Sequence, residues 1–325
     1  MSMNPLDDRA GRPPRVAVAL GGGGARGYTH IGILEVLRER GFDVVGIAGS
    51  SMGAVIGGLR AAGGLEAFSS WVRGLTHRDV LRLYDLSPRA PGAIRAERIF
   101  ARVSDILGPT RIEDLPVPFT AVATDLESGE ERWFRSGPVD AAIRASAALP
   151  GFMTPVVVDG RLLADGGLTN PLPLAPVASA RADLTVAVVV SGPSSGPAQT
   201  RHRTGALRRS ATDVLAREPV RGIGTRRGAR RAPATDVGST PERLPAGLRT
   251  RDVVELSMGA VRAAVLRHAL AAHPPDVLVT IPRSSCRTLD FHRADELIAL
   301  GRRLATEALD GAQPDRPGAV DDRPA

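Results

Sequence analysis

The sequence is poor in the residues that staple, span or stack. It has one cysteine in 325 residues and aromatic side chains at only 3%. A single thiol, Cys286, excludes an internal disulfide and any multi-cysteine metal site, and no metal site is expected. So few aromatics leave the core to Val, Leu, Ile and Ala. No apolar run approaches the roughly 18 residues that a membrane-spanning helix needs. The opening stretch MSMNPLDDRAGRPPR lacks the apolar segment of a signal peptide. A cytoplasmic location is therefore expected, with peripheral contact at the inner membrane surface as its furthest extension. Lysine is absent too, all 42 basic residues being arginine, but that carries no chemistry of its own.

The formal net charge of +7 is concentrated in one place. Between Gln199 and Arg251 there are 13 arginines and four acidic residues, while the rest of the chain is close to neutral. A nucleic-acid-binding fold is thus not expected. The segment 191–250 is rich in Gly, Pro, Ser, Thr and Arg and lacks any sustained period. It reads as a disordered surface insertion, either a solvated linker or an electrostatic tether to anionic lipid. Residues 1–14 and 311–325 read as flexible ends, leaving 15–310 as one domain around the insertion.

What is present is a strong alternation of strands and helices. Val16–Leu20 is a buried strand that ends in four glycines. A helix is expected over 25–40, a strand over 44–48 and a helix over 52–62. Strand, helix, strand, helix within about 50 residues predicts parallel pairing in a layered α/β sheet. Further helices are expected over 65–84, 96–107, 139–149, 251–272 and 293–309. Further strands are expected over 119–124, 131–134, 156–158, 184–190 and 277–281.

Three motifs carry chemistry. Gly49-Ser50-Ser51-Met52-Gly53 matches G-x-S-x-G, in which a sharp strand-to-helix turn exposes the central serine; a plain small-residue turn would read the same. The loop LGGGGARG follows the first strand, and its consecutive N–H groups could cradle negative charge. Gly22, Gly24 and Gly27 also fit a dinucleotide fingerprint, with Asp43 as ribose ligand, but Asp43 begins the second strand rather than ending it. In RLLADGGLTNPLP, Asp165 follows a short apolar run and precedes two glycines, a strand end or an ordinary turn. None of the six histidines (His30, His77, His202, His268, His273, His292) lies in a motif suited to a serine's base. Phe68 and Trp71, three apart on a helix, either line an acyl pocket or pack in the core.

Taken together, LGGGGARGYTHIGILEVL, GIAGSSMGAVIGG, AIRASAALPGFMTPVVVDGRLLADGG and NPLP resemble the patatin-like phospholipases, particularly their compact bacterial members. The resemblance implies a three-layer α/β fold, with a mainly parallel central sheet and helices on both faces. It implies a Ser–Asp dyad without histidine: Ser51 as nucleophile and Asp165 as general base. Gly22, Gly23, Gly24 and the backbone around Arg26 would form the oxyanion hole. Ser146–Pro155 would support the site. The substrate would be a phospholipid or lysophospholipid acyl ester, and no cofactor is required. An acyltransferase using the same dyad, or a non-catalytic nucleotide-binding protein, remain the alternatives.

Overall fold

The computed structural model describes residues 12–84, 92–94, 96–192 and 250–312. The expected flexible ends and the arginine-rich insertion, with His202, lie outside these ranges except at their margins. The strands are β1 (Arg15–Leu20), β2 (Asp43–Ser50), β3 (Gly92–Ile94), β4 (Phe119–Asp125), β5 (Glu131–Phe134), β6 (Gly151–Met153), β7 (Val156–Val158), β8 (Arg161–Asp165), β9 (Leu184–Gly192) and β10 (Val277–Pro282). The helices are α1 (Thr29–Glu39), α2 (Met52–Ala61), α3 (Leu65–Arg73), α4 (His77–Leu83), α5 (Glu97–Leu107), α6 (Val139–Ser146), α7 (Ala175–Ala178), α8 (Thr250–Ala272) and α9 (Ala294–Ala312).

The main sheet runs β10-β9-β1-β2-β4-β8-β7, with β5 also on β4, while β3 and β6 form a separate pair. β10, β9, β1, β2 and β4 are mutually parallel; β5, β8 and β7 add antiparallel pairings. Parallel strands need crossovers, and these place helices on both faces of the sheet. Alternate residues of β1 and β9 sort accordingly. Val16, Val18, Leu20, Val186, Val188 and Val190 enter the large core with residues of α1, α2 and α9. Ala17, Ala19, Ala187 and Val189 pack with Val177 of α7 and Leu266 of α8 on the other side. The result is the expected three-layer α/β fold.

Several boundaries differ from the sequence expectation for local reasons. The helix expected over 25–40 begins as a 3-10 turn at Gly24–Tyr28 before α1. The stretch 65–84 is two helices: the chain breaks after Arg73, and Thr76 with Asp79 forms a capping box that starts α4. α6 stops at Ser146, not at residue 149. Leu149 precedes Pro150, and the residue before a proline is driven out of helical backbone. Phe68 is a core residue, packed at a tilt between Tyr28 and Trp71 with ring centroids at 6.3 and 5.6 Å.

Candidate active site

The site is assembled on β4. The first half of β4 pairs with β2, Ser50 lying beside Val122. Its second half pairs with β8, Asp165 lying beside Ala123. β5 pairs with Ala121–Thr124 of β4, overlapping both. A strand has only two edges, so β2 and β8 must share the other one and meet end to end. The last residue of β2 and the last of β8 therefore sit against consecutive residues of β4. This register brings Asp165 to the turn that carries Ser51, although 114 positions separate them in the sequence.

The turn itself is strained. Ser51 has φ 56° and ψ −125°, a backbone region that side-chain-bearing residues rarely adopt. Ser51 is half-buried, and α2 starts at the next residue. The glycines of the motif are there for close approach: a Cβ on Gly53 would lie 2.0 Å from Leu20 O. Ser146, at the end of α6, braces the turn. Its hydroxyl accepts the Ser51 N–H at 3.0 Å and donates to Val122 O at 2.6 Å. Ser50, the other serine of the pair, is wholly buried, and its hydroxyl finds no aligned partner.

Asp165 is 3% exposed. Its Oδ1 accepts the Gly167 N–H at 2.7 Å, while Oδ2 has no partner in formed hydrogen-bond geometry. Burial pushes this carboxyl above the usual aspartate range; the Ser51 hydroxyl, the Gly167 N–H and the Arg262 charge pull the other way. Ser51 thus acts on the ionisation of Asp165 without making an aligned bond to it. Thr124, which the sequence did not single out, fixes the backbone: its hydroxyl donates to Asp165 O at 3.0 Å and meets Thr169 Oγ1 at 2.9 Å.

The glycine loop lies over the serine. A Cβ on Gly22 would be 3.0 Å from Ser51 Cβ and 3.7 Å from Ser51 Oγ. Gly22 donates its N–H to Pro171 O at 3.3 Å, and Ala25 donates to Thr288 O at 2.8 Å. Among the described residues the Gly23 and Gly24 N–H groups meet no acceptor. The Arg26 guanidinium turns away to the segment after β10, donating to Cys286 O at 2.8 Å and Arg283 O at 3.3 Å. Asp43 is exposed at the start of β2, paired with Arg15 at the opposite end of the strand from Ser50. It is not positioned for a nucleotide held by this loop. His268 and His273 are exposed, and His77 packs edge-on against His292 at 4.9 Å. His30 alone among the described histidines reaches the site, fully buried, with Nε2 2.8 Å from Gly21 O.

A serine on a strained strand-to-helix turn, a buried carboxyl and unpaired backbone N–H groups are equipment for nucleophilic acyl transfer. Comparison with known proteins agrees with that class. Residues 18–178 match the patatin-like phospholipase family. An uncharacterized NTE family protein of Mycobacterium tuberculosis is 47% identical over 340 aligned residues, covering 94% of each chain. Patatin-like phospholipase domain-containing protein 7 of Mus musculus is 34% identical over 54% of this chain and 13% of its own length. Neuropathy target esterase sws of Drosophila melanogaster is 33% identical over 49% of this chain and 12% of its own. The chain belongs to the patatin-like phospholipase family, and at that level it is a lipid hydrolase. No helix among the described residues is long and apolar enough to cross a membrane.

Proposed function

We propose that the protein is a serine acyl hydrolase that cleaves acyl esters of phospholipids or lysophospholipids through Ser51 and Asp165. The observation that carries this reading is the register of β4, which sets the buried Asp165 carboxyl beside the turn bearing Ser51. As Ser51 Oγ bonds to the ester carbonyl carbon, its proton passes to Asp165 and the carbonyl electrons move onto oxygen. The free N–H groups of Gly23 and Gly24, with Gly22 as the wall beside Ser51, are the donors for that oxygen. Gly22's own N–H and the Arg26 side chain have other partners and take a supporting part.

Collapse of the tetrahedral intermediate breaks the bond to the alcohol, which leaves with the proton from Asp165. Water then attacks the acyl-enzyme, Asp165 again taking the proton, and Ser51 is restored. A raised carboxyl pKa suits this work, because a base is most effective when its pKa approaches the working pH. No step calls for a cofactor. The substrate would be met at a bilayer surface from the cytoplasmic side.

The test is turnover of a short-chain p-nitrophenyl ester by wild type, Ser51→Ala, Asp165→Asn and His268→Ala, with EDTA present. Loss in the first two variants and retention in the third is expected. Wild-type turnover by Ser51→Ala would end the proposal.

A further inference from the structure

We propose that His30 is a positioning residue of this reaction, holding the Gly21–Gly22 peptide so that the next N–H groups of the loop face the Ser51 hydroxyl. The inference rests on Ser51 being the nucleophile. It starts from one peptide unit. The Gly21 carbonyl and the Gly22 N–H belong to the same rigid plane. His30 Nε2 lies 2.8 Å from that carbonyl oxygen, and the N–H donates to Pro171 O at 3.3 Å. The plane is therefore held at both ends, by the start of α1 on one side and by the chain that leaves Asp165 on the other. The neighbouring N–H groups are also spent, Gly21 on Val188 O and Ala25 on Thr288 O. Between these fixed points only Gly23 and Gly24 keep N–H groups without an acceptor among the described residues. A rotation of the Gly21–Gly22 plane would redirect both.

The chemistry of the imidazole is fixed by its surroundings. A carbonyl oxygen can only accept, so Nε2 must carry the hydrogen. Nδ1 is buried with no partner, which is tolerable for a bare ring nitrogen and costly for an N–H. The ring is thus the neutral Nε2–H tautomer. Burial, only partly opposed by the Gly21 bond, lowers its pKa to about 4, in keeping with a ring that stays neutral. The ring's free lone pair is on Nδ1, which is buried without a hydrogen-bond partner, so no hydrogen bond links it to the Ser51 hydroxyl and His30 is not the base for that proton. An aliphatic side chain would fill much of this volume without stranding a nitrogen, but it could not hold the carbonyl. The same contact gives a role to the Asn170-Pro171 stretch, which supplies the opposing acceptor.

The experiment compares full-length wild type, His30→Leu, His30→Gln and Ser51→Ala. It measures kcat and KM for a p-nitrophenyl ester, active-site titre, and inhibition by a trifluoromethyl ketone, which mimics the tetrahedral intermediate. His30→Leu should lose about ten- to a hundredfold in kcat per titrated site, with KM within about threefold. Inhibition should weaken by a similar factor, since misplaced oxyanion donors penalise the charged intermediate rather than the ester. His30→Gln, which can present an amide N–H to Gly21 O, should recover part of the loss. Unchanged kcat per site and unchanged inhibition in His30→Leu overturn the proposal. If that variant does not fold, 15N NMR of the wild-type ring decides: a neutral Nε2–H tautomer supports the proposal, and an Nδ1–H or charged ring at neutral pH overturns it. An active Ser51→Ala enzyme would instead defeat the reading of the dyad, so the two failures are distinguishable.

Discussion

The two halves of the sheet build the site by different means. The parallel half, from β10 to β4, delivers Ser51 through a local device: a strand end, a strained turn and a helix start within a few residues. The antiparallel extension, β8 and β7, delivers Asp165 through pairing alone, as β8 occupies the edge of β4 that β2 vacates after Ser50. The proposed nucleophile thus depends on backbone conformation encoded next to it. The proposed base depends on a register set across the fold. The site lies at the seam between them.

The sharpest test of that seam is a double-mutant cycle. Ser51→Ala and Asp165→Asn should each reduce kcat by about 10³-fold or more, and the double variant should be hardly worse than either. Residues acting as one proton-transfer unit are strongly non-additive. Additive losses in kcat would mean that the two sides of the seam act independently.

The same contrast explains what could be read beforehand. The G-S-S-M-G turn and the glycine loop are contiguous, so their chemistry and their adjacency followed from strand–helix alternation. Asp165 was a candidate before the family resemblance but gained its role as base only through it, because nothing in D-G-G fixes which strand it will meet. Ser146 was visible as part of a supporting stretch, but its bond to the Ser51 N–H depends on where α6 stops. Thr124 reads as an ordinary strand residue, and its contact with the Asp165 carbonyl spans 41 positions. His30 was set aside because it fits no histidine motif for a base. Its role here is to hold a carbonyl, which leaves no mark on sequence spacing. The pair β3–β6 is too short and too glycine-rich to signal itself.

A smaller break falls on the brace between the halves. Ser146→Ala removes the acceptor of the Ser51 N–H and the donor to Val122 O. A strained φ persists only where its surroundings over-determine it. Stability should fall by about 1–3 kcal/mol, as expected when buried polar groups lose a partner, and kcat by about tenfold. Thermal melting and steady-state kinetics measure both. A stable variant with full activity would show that the elbow holds itself.

On the antiparallel side, activity and stability should part. Burial raises the Asp165 pKa above the ordinary value of 3.8, to which unfolding returns it. A carboxyl raised on folding binds its proton more tightly in the folded state. It therefore favours folding at pH below 3.8, and that contribution is lost as pH climbs through the folded-state pKa. Above that, the folded chain carries the full cost of a buried carboxylate. Asparagine has no charge to bury and can still accept the Gly167 N–H. Asp165→Asn should therefore melt higher than wild type at neutral pH, by roughly 2–4 °C for each kcal/mol relieved. The gap should close as pH approaches the ordinary carboxylate range. A variant that melts lower at neutral pH would show that the carboxylate is stabilised by its surroundings, against the burial argument.

The smallest expected effect comes from α8, which contacts the Gly166–Leu168 turn just beyond Asp165. The Arg262 side chain on this helix makes one hydrogen bond among the described residues, a long one from Nε to Met258 O of its own helix at 3.4 Å. Its charge nevertheless favours the ionised form of Asp165. Removing it in Arg262→Gln withdraws that support, so the carboxyl keeps its proton to higher pH. The acidic limb of the kcat/KM profile should move toward higher pH, with about two- to threefold less activity at its acidic end and little change on the alkaline plateau. Added salt should shrink the difference between variant and wild type, because screening weakens in wild type the interaction that the variant lacks. A shift toward lower pH would mean that Arg262 does not act on the base by charge. A uniform loss across the profile would point instead to a role in packing α8 against the Asp165 turn. That outcome would make the antiparallel half, like the elbow, dependent on the element that follows it.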